Sequence, residues 1–162
     1  MAITKAKKKD ILTKLEGIKK DSESIVFVSF KGVTVKDITT MRRAMREVGV
    51  GYFVAKKTLM TRAFADTYTG EMPVLDGETA VAYSADAILP AQNVKVFAKQ
   101  FKDKIAIVGG AFQGAWKNRE EMTEIASIPS LQVLRGMFAQ LLNSPRQRFA
   151  VVLSKVSETK NA

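Results

Sequence analysis

Neither cysteine nor histidine occurs anywhere in the 162-residue sequence. Without cysteine there are no disulfides and no thiolate zinc site, and a reducing compartment fits. Without histidine the commonest metal ligand and the commonest general base are both missing. Accordingly, no metal site, no cofactor and no catalytic residue are expected. No apolar run approaches about 18 residues, so no membrane span is expected. The opening MAITKAKKKDIL is charged and lacks the apolar stretch of a signal peptide. Acidic side chains are scarce beside basic ones, 16 against 26, which leaves a net charge of +10.

That excess is unevenly placed. Residues 1–68 carry 15 basic and 7 acidic side chains, residues 69–128 carry 6 and 8, and residues 129–162 carry 5 and 1. Clustered cations of this kind are the footprint of a phosphate-rich partner. The bland alternative is a basic surface that only keeps the protein soluble.

Hydrophobic periodicity orders the chain. Ile11, Leu15 and Ile18 predict a basic amphipathic helix over residues 4–20, capped by Thr4 and carrying Lys7, Lys8 and Lys9. The continuous run IVFVSF at 25–30 predicts a buried strand. Thr34 and Asp37 form a capping-box pattern, and Val35, Ile38, Met41, Met45 and Val48 trace a helical stripe that Gly49 and Gly51 terminate. Further strands are predicted at 50–55, 79–84 and 104–112, with a short helix at 58–67 and a longer one from about 86 to 101. The order strand, helix, strand, strand, helix, strand gives an α+β fold: a ferredoxin-like (split βαβ) four-stranded sheet with extra helices. A parallel three-layer sheet competes, because a short helix follows the second strand. Pro129 disfavours helix at Ile128 and sets a boundary between a domain of residues 1–128 and a protruding helical spine of residues 129–162. The spine is predicted as one or two helices to about residue 156, with a frayed tail.

At about 100° per residue, Lys36, Arg42, Arg43 and Arg46 share about 120° of arc on one face of the 35–48 helix, with Asp37 and Glu47 off that patch. Cations so grouped repel one another, and a phosphate ladder converts that cost into attraction. Lys31-Gly32 precedes this helix; Lys56, Lys57, Thr58 and then Arg62 follow the second strand. If the two strands are neighbours, all of these groups converge on one end of the sheet. Phe27, Phe30 and Phe53 lie in apolar runs and are assigned to the core. Folded RNA recognised by shape and backbone, rather than base by base, is therefore expected.

Two glycine-containing stretches invite a nucleotide-enzyme reading and do not sustain it. The segment from Gly51 to Thr58 approaches a phosphate-binding P-loop, but lysine replaces the second glycine and the spacer reads as a strand. Gly109-Gly110 lacks the dinucleotide fingerprint and marks a bulge or strand end. No pair of carboxylates stands in a recognisable catalytic context.

The sharpest pattern is a repeat. RGMFAQLLNS at 135–144 and RQRFAVVLSK at 146–155 align at an offset of 11, close to three helical turns, so both copies face nearly the same way. Each offers a phenylalanine and an aliphatic pair: Phe138, Leu141 and Leu142, then Phe149, Val152 and Leu153. Pro145 lies between, with Ser144 able to cap a restart, so a kinked helix or two segments are expected. As one helix, residues 130–158 would span about 43 Å. Repeated exposed apolar stripes of this kind mark partner surfaces.

Several segments together resemble a known family. FKGVTV and the following RRAMREVGV, YFVAKKTL, LPAQ at 89–92, GGAFQG and IPSL are similar to the tenth protein of the bacterial large-subunit series, the ribosomal stalk-base family. The resemblance covers nearly the whole chain. It implies an α/β domain that binds large-subunit rRNA beside the eleventh protein of the series. It also implies a C-terminal spine that holds dimers of the acidic stalk protein, two by the repeat, and through them recruits translational GTPases. Lys57 stands where the family often has asparagine, a point charge in place of an amide's paired donor and acceptor. The spine is short, which bears on dimer number, and the long acidic extension of archaeal and eukaryotic relatives is missing, which favours a bacterial ribosome in the cytoplasm, with an organellar one as the second reading. Two readings outside this resemblance stay open: an extraribosomal RNA-binding assembly factor of similar fold, and a basic adaptor that binds acidic proteins or membranes without RNA.

Overall fold

The computed structural model describes residues 5–65, 68–75, 77–101 and 104–161. Thr4, the expected first cap, and residues 66 and 67, the expected end of the short helix, lie outside these. The chain divides into two compact units, Met1–Ile128 and Pro129–Ala162.

The first unit runs α1 (Lys5–Asp21), β1 (Ser24–Phe30), α2 (Val35–Glu47), β2 (Gly51–Val54), α3 (Lys57–Phe64), β3 (Thr79–Ser84), α4 (Leu89–Gln100), β4 (Ile105–Phe112), β5 (Ala115–Lys117) and α5 (Arg119–Ile125). The sheet order is β2-β3-β1-β4-β5. β1 pairs antiparallel with both β3 and β4, β2 with β3, and β5 with β4. This is the ferredoxin-like arrangement with a fifth strand added outside β4, and it rules out the parallel sheet.

Central position explains the unbroken apolar run of β1. Val26 and Val28 join a core with Met41 and Met45 of α2, Val94 and Phe97 of α4, and Met122 of α5. Ile25 and Phe27 point the other way, into a core with Leu15 and Ile18 of α1 and Met60 and Phe64 of α3. A strand covered on both faces has no polar alternation to show. Phe27 is fully buried, with the Phe64 ring edge-on at 5.9 Å and the Trp116 ring stacked at 5.7 Å.

Helix α2 starts where its cap predicts. The Thr34 hydroxyl oxygen accepts the Asp37 N–H at 3.3 Å, and the same hydroxyl donates to the Asp37 carboxylate at 2.7 Å. Gly49, at φ 78°, ends the helix, and the Val50 N–H turns back to the Met45 carbonyl at 2.9 Å. Two expectations need correction here. Val35 is 81% exposed, because at about 100° per residue it falls among the cations and not on the Met41–Met45 stripe. Gly51 does not terminate α2; it opens β2, opposite Tyr83. Helix α4 begins at Leu89 rather than near 86, because the Asp86 carboxylate accepts the N–H groups of Ile88 and Leu89 in a preceding turn.

The paired glycines of β4 mark a bulge. The β1–β4 register shifts between Phe27, opposite Gly109, and Val28, opposite Ile107, which leaves Val108 as the extra residue. A Cβ on Gly110 would lie 2.3 Å from the Ile25 carbonyl oxygen and 3.1 Å from the Val26 Cα, both backbone atoms that cannot give way cheaply. Gly110→Ala is expected to cost about 2–3 kcal/mol, read as a lower urea midpoint. A midpoint at the wild-type value would contradict this close approach.

The second unit is one helix, α6 (Leu131–Asn161), with Pro145 inside it. Of the two expected forms, one helix or two segments, the single helix is found: no restart occurs at Ser144, and the helix continues past residue 156. Proline's fixed φ is compatible with helix, so Pro145 forfeits the N–H that would reach the Leu141 carbonyl without ending the rise.

Candidate functional site

The strands β1 and β2 are not neighbours, since β3 lies between them. They nonetheless run in the same direction at the same level: Ile25 and Gly51 both face Tyr83, and Val28 and Val54 both face Ala80. Lys31-Gly32 after β1 and Lys56-Lys57-Thr58 after β2 therefore leave the sheet at one end, on either side of the start of β3. Gly32 makes its turn at φ 65°. Lys31 extends over Gly77, where an added Cβ would stand 3.3 Å from its Cε. Lys56 occupies the N-cap position of α3 without a side-chain hydrogen bond to the helix, and Lys57 and Thr58 form its first turn. A helix start beside two lysines favours an anion.

Along α2, Lys36, Arg42, Arg43 and Arg46 are all exposed. Glu47 is not off the patch as expected; one turn beyond Arg43, it pairs with that guanidinium at 3.5 Å. Both partners are exposed, so the pair adds little stability, but it offsets part of the Arg43 charge. Among the described residues neither Arg42 nor Arg46 has a carboxylate partner. The Arg42 guanidinium lies 5.5 Å from the centre of the Tyr52 ring, a cation–π contact.

Arg42, Arg46, Gly49, Val50, Gly51, Tyr52 and Tyr83 enclose a concavity of about 360 Å³. Burial pushes the Tyr52 hydroxyl up to about 12, opposed only in part by Arg42, so the group stays a neutral donor near pH 7. It has no hydrogen-bond partner among the described residues. Neither tyrosine was singled out from the sequence. Strand alternation alone places Tyr52 on the α2 side, but the approach of Tyr83 depends on the β2–β3 register, which no local pattern encodes.

Other predicted residues lie apart from this arc. α1 and α3 pack on the opposite face of the sheet from α2, so Arg62 of α3 joins α1, beside Leu12, Glu16, Lys19 and Lys20. Lys7, Lys8 and Lys9 are exposed on α1 as well. The cations thus form two basic surfaces, one on each face, rather than one.

On α6, Phe138 and Phe149 are 63% and 66% exposed, and Leu141, Leu142, Val152 and Leu153 are exposed beside them. Because the helix is continuous, the stripe is longer than the repeat suggested. At about 100° per residue, Leu131, Leu134 and Val156 fall in the same arc of about 120°. The 11-residue step already contained this signal, as Leu131, Leu142 and Leu153 and as Leu134, Pro145 and Val156. Arg135 and Arg146 flank the stripe on one side, Arg148 and Lys155 on the other.

Among the described residues, no group of three or more acidic side chains is placed to hold a metal ion, and no helix is long and apolar enough to cross a membrane. The family model described as Ribosomal protein L10 matches residues 3–102. The large ribosomal subunit protein uL10 of Rhodospirillum rubrum is 32% identical over 151 residues, covering 93% of this chain and 87% of that protein. The protein of the same name from Shouchella clausii is 34% identical over 155 residues, covering 94% and 93%. That from Staphylococcus carnosus is 35% identical over 155 residues, with the same coverage of each chain.

Proposed function

The chain belongs to the ribosomal protein L10 family, and from that premise we propose that residues 1–128 bind large-subunit rRNA at the stalk base while residues 129–162 anchor acidic stalk dimers. As a member of that family it is a constituent of the large ribosomal subunit, placed on the cytoplasmic ribosome, and not an enzyme. The observation that carries the rRNA reading is the exposed cationic arc of α2, where Arg42 and Arg46 lack any carboxylate partner among the described residues. Lys31, Gly32, Lys36, Lys56, Lys57 and Thr58 extend that arc toward the end of the sheet where β1 and β2 finish. Lys7, Lys8, Lys9 and Arg62 supply a second phosphate-facing surface on the other side.

The anchoring reading rests on the second unit, whose apolar stripe is exposed along its length and edged by cations. An amphipathic helix of this kind fits the groove of a partner, and flanking arginines favour an acidic one. Two stalk dimers, the eleventh large-subunit protein as neighbour, and translational GTPases recruited through the dimers complete the proposed set of partners.

Equilibrium binding of the full chain to a large-subunit rRNA transcript across a KCl series tests the first half. The affinity should fall steeply and linearly with salt on logarithmic axes. Binding that ignores salt would remove the phosphate-contact reading. Retention on large subunits through a high-salt wash separates a resident protein from an assembly factor or a basic adaptor, both of which should wash away.

A further inference from the structure

We propose that the concavity beside the C-terminal half of α2 is a nucleotide slot, which takes one unstacked nucleotide of the bound rRNA with its phosphate on Arg42 and Arg46 and its base on the Tyr83 ring. The slot rests on the rRNA-binding reading above and goes beyond it by assigning two tyrosines and Gly51 a part in recognition.

Four features build the site. Arg42 and Arg46 stand one helical turn apart on the same wall, unpaired with carboxylates among the described residues. Tyr83 packs with the core on the α1–α3 face and lies over Gly51 of β2: a Cβ there would come within 2.2 Å of the ring, so only glycine lets the ring reach the rim from that side. Because β2 is an edge strand, that rim faces outward rather than into the sheet. The Tyr52 hydroxyl is buried in the wall with no partner among the described residues. A hydroxyl left unpaired in a buried position destabilises the fold, so an ordered water or a group of a bound ligand would satisfy it here.

The parts act together. Arg42 lies over the Tyr52 ring, so a phosphate held by its guanidinium would sit beside that tyrosine. The concavity of about 360 Å³ falls within the size range of pockets that enclose small organic groups, about 300–1,000 Å³. Folded RNAs offer suitable occupants, because bulged and loop bases splay out and stack on aromatic rings and arginine planes. The expectation of pure backbone recognition rested on Phe27, Phe30 and Phe53 being core. Tyr52 and Tyr83 lie outside that group.

A free nucleotide carries the same chemistry, so the test uses both. The full chain is titrated with a large-subunit rRNA transcript across a KCl series, and in parallel with the four nucleoside 5′-monophosphates. Tyr83→Ala should bind the transcript roughly tenfold more weakly with an unchanged salt slope, since a stack is lost and no phosphate contact is. Tyr83→Phe should stay close to wild type. Tyr52→Phe should bind several-fold more weakly while its Tm stays at or above the wild-type value, which keeps the test valid if Tyr83→Ala fails to fold. Wild-type affinity in both Tyr83→Ala and Tyr52→Phe would overturn the slot and leave the rRNA reading standing. A wild-type chain that ignores the transcript would overturn that reading itself. Saturable micromolar binding of a monophosphate would assign the slot to a free nucleotide and overturn the rRNA-borne occupant.

Discussion

Phe149→Ala is expected to strip one acidic dimer from the reconstituted complex and leave the other in place, and Phe138→Ala is expected to do the reverse. Each phenylalanine is the largest side chain of its trio, 63% exposed for Phe138 and 66% for Phe149. Leu141 and Leu142, and then Val152 and Leu153, sit three and four residues further on, so each trio shares one side of α6. Large apolar anchors of this kind dominate helix-in-groove interfaces, and truncating one costs about 2–4 kcal/mol, or at least thirtyfold in affinity. Arg135, Arg146, Arg148 and Lys155 edge the stripe and are expected to contribute association rate and specificity more than affinity. Native mass spectrometry should therefore find four acidic chains on the wild-type protein and two on each variant. One or three dimers on the wild type would show that the repeat does not count docking sites. The continuous stripe sharpens this test, because Leu131, Leu134 and Val156 lengthen the surface beyond two trios.

The second large effect is expected at α2. Arg42→Ala, Arg43→Ala and Arg46→Ala combined should weaken binding to large-subunit rRNA by roughly 100-fold near physiological salt. Each lost phosphate contact should also remove roughly 0.7–0.9 from the log–log salt slope, so the triple variant loses roughly 2.1–2.7. Arg43 already shares its charge with Glu47 at 3.5 Å, so it should account for the smallest part of the loss. An unchanged slope with unchanged affinity would move the RNA site off α2, with the α1–α3 surface around Arg62 the next place to look.

Much of this architecture was legible because local patterns and tertiary needs agree. β1 announced itself as a buried strand because both of its faces meet helices, and Thr34 marked the start of α2 because its hydroxyl satisfies the Asp37 N–H. β5 escaped notice. It is 3 residues long and depends on a tight turn in which Gln113 and Gly114 take φ of 49° and 82°. Asn-Gly or Asp-Gly announces such a turn far more clearly than Gln-Gly does. Val35 and Glu47 were misplaced for a different reason: the α2 stripe and patch were drawn as separate faces, while residue angles put both beside the cations. The concavity was the least legible part. Gly51 looks like a helix stop until the register sets it against Tyr83, and that pairing crosses 32 residues of sequence. Pro145 was read by its usual effect, which a helix tolerates when only one internal hydrogen bond is at stake.

The central claim is that residues 1–128 hold the RNA and residues 129–162 hold the acidic dimers, as separable tasks of one chain. Large subunits stripped of this protein and of the acidic stalk protein can be reconstituted with the full chain or with residues 1–128 alone. Sedimentation through a high-salt cushion, followed by quantitative mass spectrometry of the pelleted particle, reads both tasks at once. Both forms should pellet at one copy per subunit, with four acidic chains accompanying the full chain and none accompanying the truncated one. A truncated chain that fails to pellet, or one that still brings the acidic protein with it, would contradict the division of labour.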